Sequence, residues 1–232
     1  HTLQDLVRVF KGPRWARADY RDLLCLLFEL VRIARQNPVA LETHIDAPEA
    51  SDIFARYPQI AGDGEAVALI CDTLRSAGMN YDDPHQVEEV LDKRLEARLH
   101  HGLHTAHALQ VVADGLPALG IVAAVLGVIK TMASIDQPPE ILGGLIGGAL
   151  VGTFLGVFLS YGFVGPFAGR VKAIIEADHQ FYGLIREVLV ANLYQHSPAV
   201  CIEVGRQNTP SHIRPSFPEL ETALRDLKQV PA

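Results

Sequence analysis

Polar and apolar residues are distributed unevenly along the chain. Between residues 19 and 36, apolar side chains recur at Leu23, Leu24, Leu27, Leu30, Val31 and Ala34, the spacing of a helix that buries one face. Asn37-Pro38 ends that run, because the residue ahead of a proline is pushed out of the helical region. Shorter helices are predicted over 51–57 and 64–77, and Pro84 opens another. The pattern of 87–113 then continues without a break into a long uncharged stretch. Residues 2–11 read as a short amphipathic piece closed by Gly12-Pro13. Towards the other end, 171–194 extends a helix, 197–211 reads as irregular, and 219–228 forms a last surface helix. Ser216 and Glu219 stand at the capping-box spacing ahead of it. The pattern predicts an all-α chain.

The uncharged stretches change the picture. No Asp, Glu, Lys, Arg or His occurs over residues 115–129, and none over 141–169. A hydrocarbon core about 30 Å thick needs roughly 20 apolar residues of helix. Residues 116–135 meet that length, with Lys130 near the far end, where its long stem can carry the ammonium out to water. The second stretch exceeds it. A pair of helices buried in a large soluble core would show the same pattern, but the uncharged length favours two membrane spans, at 114–136 and 141–166. Asp136-Gln137-Pro138-Pro139-Glu140 lies between them without a Lys or Arg, whereas Lys93, Arg94 and Arg98 precede the first span and Arg170 and Lys172 follow the second. The positive-inside rule then puts residues 1–113 and 167–232 in the cytoplasm as helical regions, and the short turn at 137–140 outside.

Glycine is the poorest ordinary helix former, at about 1 kcal/mol per residue against alanine. Even so, Gly144, Gly148, Gly152 and Gly156 recur every four residues in the second span, and Ser160 continues the series. In lipid, small residues four apart let helices approach closely, so the stripe is expected to be a surface for packing against other helices. Thr153 lies beside it. An intramembrane threonine commonly bonds the carbonyl four residues back in its own helix, which is the plain alternative to a functional role.

Composition and charge exclude more than they assign. The chain has 232 residues, a mean hydropathy of +0.17 and a formal charge of −7, which offers no basic face for nucleic acid. Cys25, Cys71 and Cys201 are far apart and odd in number, so neither a disulfide framework nor a paired-cysteine metal site is expected. No phosphate-binding loop, nucleophile elbow or zinc-protease helix motif occurs, and no enzymatic activity, cofactor or metal is expected. His100, His104 and His107 share a helix face and could in principle hold a metal. No carboxylate or cysteine completes the set, which favours a solvated face. The spans hold no Asp or Glu, so a titrating group for any carried ion must come from a partner helix.

Three segments carry a family resemblance. "DGLPALGIVAAVLGVI" (114–129), "LVGTFLGVFLSYGFVGPFA" (150–168) and "RPSFPELE" (214–221) resemble the MotA stator proteins of the flagellar motor, within the MotA/TolQ/ExbB proton channel family. "YRDLLCLLFELVRIARQ" and "EASDIFARYPQI" are similar to that family's cytoplasmic region, so the resemblance covers essentially the whole chain. It implies a homo-pentamer around two copies of MotB in the bacterial inner membrane, a transported proton, and torque delivered to the rotor protein FliG. The family has four spans, and the two here resemble the third and fourth. The chain opens at His1 rather than at a methionine, from which a fragment or processed piece is expected, with two spans upstream. An ExbB/TolQ-like energiser of outer-membrane transport shares the last two spans and is the alternative.

The resemblance also assigns residues. Pro117 in "DGLPALG" and Pro166 in "YGFVGPFA" match prolines implicated in conformational coupling, although a proline in a helix's first turn can be merely tolerated. Thr153 in "VGTFLG" matches the threonine facing the ion path beside the MotB aspartate. Ala124 in "IVAAVLG" falls where sodium-type relatives carry threonine, which implies protons. Arg35 and Glu42 match the charged pair that contacts FliG, with "QNPVALE" shorter than the family's segment. Without the resemblance both are solvated surface charges.

Overall fold

A computed structural model describes residues 9–78 and 83–228. All regular structure there is helical: α1 (Arg17–Gln36), α2 (Pro38–Asp46), a 3-10 turn (Pro48–Ala50), α3 (Asp52–Ala55), α4 (Pro58–Ala61), α5 (Gly64–Gly78), α6 (Pro84–Met132), α7 (Pro139–Leu159), a π-turn (Ser160–Val164), α8 (Gly165–Leu193), α9 (Pro198–Asn208) and α10 (Phe217–Lys228). Residues 2–8 of the short amphipathic piece expected at the start lie outside the described residues. The chain divides into two compact units, one of His1–Gly12 with His100–Ile175, the other of Pro13–Leu99 with Glu176–Ala232. The unit boundaries therefore fall inside α6 and α8, where the helices themselves do not break.

The Pro13–Leu99 and Glu176–Ala232 unit is built on α1. Leu23, Leu24, Leu26, Leu27, Leu30 and Val31 of this helix are all inaccessible to solvent, so it is buried nearly all round rather than along one stripe. Trp15 stacks on Phe181 with ring centroids 3.8 Å apart, and Tyr20 meets the same ring edge-on. The charged groups that enter this core are paired. Glu29 accepts from Arg56 and from the Tyr57 hydroxyl, and Asp63 accepts from Arg14, from the Tyr182 hydroxyl at 3.0 Å and, as the cap of α5, from the Ala66 N–H at 2.8 Å. Cys25, Cys71 and Cys201 are all buried and free. Burial pushes the Cys25 thiol up to about 12 and the Cys71 thiol up to about 11, and raises Cys201 as well.

One expectation fails here. Residues 197–211 are not irregular: Pro198 occupies the first turn of α9, which buries Cys201, Ile202 and Gly205. Gly205 belongs to the buried face because a side chain there would overlap Val188 and Leu24, so the apolar periodicity runs through a residue with no side chain to show it. The final helix starts at Phe217, two residues ahead of the expected 219, on the expected capping box. Ser216 Oγ accepts from the Glu219 N–H at 3.4 Å and Glu219 returns a bond to the Ser216 N–H at 3.3 Å.

The other unit is an antiparallel hairpin. Residues 133–138 make the turn between α6 and α7, so the first span's helix ends at Met132 and the second begins at Pro139. Ala106, Ala113, Gly120 and Gly127 recur at intervals of seven along α6, and the first three, with Thr131, are the buried positions of the part of α6 that belongs to this unit. A seven-residue interval keeps one edge of a helix facing its partner. Small residues on that edge bring the backbones together.

Candidate functional site

The hairpin seam is close enough for backbone contact. A Cβ added at Gly156 would lie 2.6 Å from the Leu116 carbonyl oxygen and 2.9 Å from Gly120 Cα. At Gly120 it would lie 2.9 Å from the Gly152 carbonyl oxygen, and at Gly127 it would overlap Ala149. The glycine stripe is thus divided. Gly152 and Gly156 pack against α6 of the same chain, whereas nothing lies within 4 Å of a side chain added at Gly144 or Gly148. Gly120 and Gly127 form the α6 half of the seam. Their mark in the sequence is the recurrence of small residues at seven-residue intervals.

Thr153 sits on this seam, partly buried. Its Oγ1 donates to the Gly120 carbonyl oxygen at 3.4 Å, across to α6 rather than back along its own helix. Ala124 is partly buried one turn beyond Gly120, with only a methyl group to offer. Pro117 lies well inside α6, not in a first turn. A proline at 117 cannot donate to the carbonyl of Ala113. That oxygen accepts instead from Ser160 Oγ at 2.6 Å. Pro166 is the second residue of α8, directly after the π-turn, in which the Gly165 N–H bonds the Ser160 carbonyl five residues back. Local widening of this kind is one way a helix absorbs a missing donor.

The outer surface of the hairpin is apolar. Leu119, Leu126, Leu150 and Phe154 are each more than 60% exposed. Two helices, Pro84–Met132 and Pro139–Leu193, are long and apolar enough to cross a membrane, and only 11% of the most apolar stretch of each is buried within the chain. Core helices of a soluble protein would be mostly buried, so the alternative of a large soluble core does not describe them. At 100–110, His100, His104, His107 and Gln110 line a cavity of about 580 Å³ together with Lys172. Among the described residues, no group of three His, Cys, Asp or Glu side chains has a metal-binding arrangement.

Arg35 and Glu42 belong to the other unit and line one cleft of about 930 Å³. Arg35 closes α1, and Asn37 caps α2 by accepting from the Ala40 N–H at 3.2 Å. The Arg35 guanidinium is held in place: Nε donates to Asn192 Oδ1 at 3.1 Å, and its terminal nitrogens reach the carbonyls of Asn192 and Gln195 at 3.4 and 3.5 Å. These carbonyls point outwards because α8 ends in a tight turn. Gln195 has a φ of 62°, the only positive value at a non-glycine among the described residues. The His196 N–H reaches back to the Ala191 carbonyl. Arg35 therefore caps the negative end of a helix, a role the sequence did not reveal. Glu42 stands exposed on α2. On the same cleft Arg75 pairs with Asp46 at 2.9 Å and donates to the Ile45 carbonyl at 3.1 Å.

Residues 66–182 match the MotA/TolQ/ExbB proton channel family. The chain is 37% identical over 228 residues to Motility protein A of Escherichia coli K12, covering 98% of this chain and 77% of that protein. It is 33% identical over 224 residues to the chemotaxis protein LafT of Vibrio parahaemolyticus, covering 96% and 79%. Among solved structures, the fold is similar to C. jejuni MotAB, with a TM-score of 0.68 and 20% identity over 93% of this chain and 77% of that one. It is also similar to the Bacillus subtilis flagellar MotAB stator complex, with a TM-score of 0.65 and 22% identity over 95% and 77%. A hairpin of two lipid-exposed helices on a small-residue seam, with polar helical regions before and after it, accompanies sequence identity along nearly the whole chain: the chain belongs to the MotA/TolQ/ExbB proton channel family.

Proposed function

We propose that this protein is a stator subunit of a flagellar motor, which with MotB forms a proton channel and couples proton flow to torque on the rotor. The observation that carries the reading is the 37% identity to Motility protein A over an alignment that covers 98% of the chain, spans and polar helices alike. The rest extends it. The subunit sits in the bacterial inner membrane with both polar regions in the cytoplasm, as the positions of Lys93, Arg94, Arg98, Arg170 and Lys172 favour. Five copies surround two MotB chains, and Gly144 and Gly148 offer a face free for that packing. The spans bring no carboxylate, so the travelling proton resides on an aspartate of MotB. Thr153 is placed to hydrogen-bond it and so to favour one protonation state. Ala124 offers no oxygen to a dehydrated sodium ion. Pro117 and Pro166 shape the conformational step, and Arg35 and Glu42 face FliG across the cleft that both line. Charges on such a surface govern encounter and register. The protein acts as a transporter and not as an enzyme.

The test is complementation. The full-length protein, expressed with its MotB in a non-motile bacterium lacking Motility protein A, is expected to restore swimming in sodium-free medium. Swimming that requires sodium overturns the proton assignment. Absence of swimming, together with restored uptake across the outer membrane in a strain lacking ExbB, favours the energiser instead.

A further inference from the structure

We propose that Ser160 is the positioning residue that ties the two proline sites of the hairpin together, an inference that takes the coupling role of Pro117 and Pro166 from the proposed function. A buried carbonyl without a partner is costly, because no water reaches it to replace the lost donor. Pro117 creates such a carbonyl at Ala113, and the hydroxyl of Ser160, 2% exposed, donates to it at 2.6 Å. The bond spans 47 residues of sequence and crosses the seam between helices. The backbone carbonyl of the same residue accepts from Gly165, the bond that closes the π-turn ahead of Pro166. One residue thus serves both breaks: its side chain answers the donor missing at Pro117, and its main chain anchors the widened turn that admits Pro166. Its setting is fixed on both sides. Gly156, one turn earlier, is in backbone contact with Leu116 and Gly120. Ala113 is buried on the facing helix. A helix that relaxed its π-turn would move the Ser160 hydroxyl and leave the Ala113 carbonyl without its donor, so the two proline sites change together.

The experiment is a double-mutant cycle in the full-length protein assembled with MotB. Ser160→Ala is expected to leave assembly intact, lower the thermal midpoint of the purified complex by roughly 2–4 °C, and reduce motor speed severalfold at equal protein level. Pro117→Ala restores an N–H that can reach the Ala113 carbonyl within α6. In that background Ser160→Ala is expected to leave the midpoint where it is. Ser160→Cys keeps the size with a weaker donor and is expected to fall between serine and alanine; it carries the same cycle if the alanine variant does not accumulate. Equal midpoint losses in the two backgrounds, or full speed in Ser160→Ala, overturn the proposal. The midpoint is read on the purified complex whatever the complex drives, so failure of the stator reading shows instead as a wild type that turns no motor.

Discussion

Thr153 shows how little a single side chain has to offer in the spans and how much rests on it. Its hydroxyl makes one long bond, to the Gly120 carbonyl, which leaves its lone pairs available to a carboxylic acid from a partner helix. Thr153→Val keeps the volume and removes the hydroxyl. A hydrogen bond of this kind contributes about 0.5–1.5 kcal/mol, and more with a charged partner. The variant should assemble normally and turn the motor slowly in single-motor torque measurements, while Thr153→Ser should be nearly unaffected. Arg35 behaves differently from a free surface charge. Because it caps α8, Arg35→Glu should both weaken motility and lower the melting temperature of the protein, placing a negative charge against carbonyls at the negative end of a helix. Asn192→Ala should reproduce the loss of melting temperature with little of the loss of motility. Circular dichroism melts alongside swimming assays separate the two effects. A third residue sets a pH dependence. Burial, followed by the nearby Arg98 charge, holds the His179 imidazole below its usual range, and its Nδ1 is buried without a hydrogen-bond partner. The folded state therefore favours the neutral ring, and the unfolded chain binds the proton more readily. Stability is full above the ordinary histidine pKa of about 6.5 and falls as pH drops below it. The melting temperature should decline from about pH 7.5 to about pH 5.5, and His179→Leu should flatten that slope.

At the scale of elements, the glycine stripe predicts two different failures. Gly156→Leu drives a side chain into the Leu116 carbonyl and Gly120 backbone, which cannot move aside. Overpacking of this kind costs about 1–3 kcal/mol or more. That variant should lose the hairpin itself, seen as degradation of the monomer. Gly148→Leu meets nothing within its own chain and should leave the hairpin intact while preventing the oligomer, as read by native mass spectrometry. A normal pentamer in Gly148→Leu would remove that face from assembly. The elements also show what a sequence can and cannot carry. The helix over 17–36, the capping box at Ser216 and both spans were legible because each rests on periodicity or on local hydrogen-bond chemistry. α9 was not, because one of its buried positions is Gly205, whose contribution is the space it leaves for Val188 and Leu24. The division of the stripe was not legible either, since four identical residues in a row carry no mark of which neighbour each will meet. Ser160 read as one more small residue in that series. Its bond to Ala113 depends on pairing two helices whose register no local pattern reports.

At the scale of the whole chain, the proposed stator reading joins two chemistries that are separate in the sequence. The hairpin unit carries Thr153, Ala124 and the prolines. The unit of Pro13–Leu99 and Glu176–Ala232 carries Arg35, Glu42 and the cleft they line. α6 and α8 each contribute residues to both units without a break in the helix. The three cysteines give this arrangement a practical use. Each is buried, and each is held as a thiol, since the thiolate that reacts with alkylating reagents is disfavoured by burial. These three cysteines are therefore nearly silent towards maleimides while the protein stays folded. A cysteine placed at Gly144 or Gly148, or on the rim of the cleft at Glu42, should label or cross-link far faster than Cys25, Cys71 or Cys201, so neighbouring surfaces can be mapped without first replacing these three.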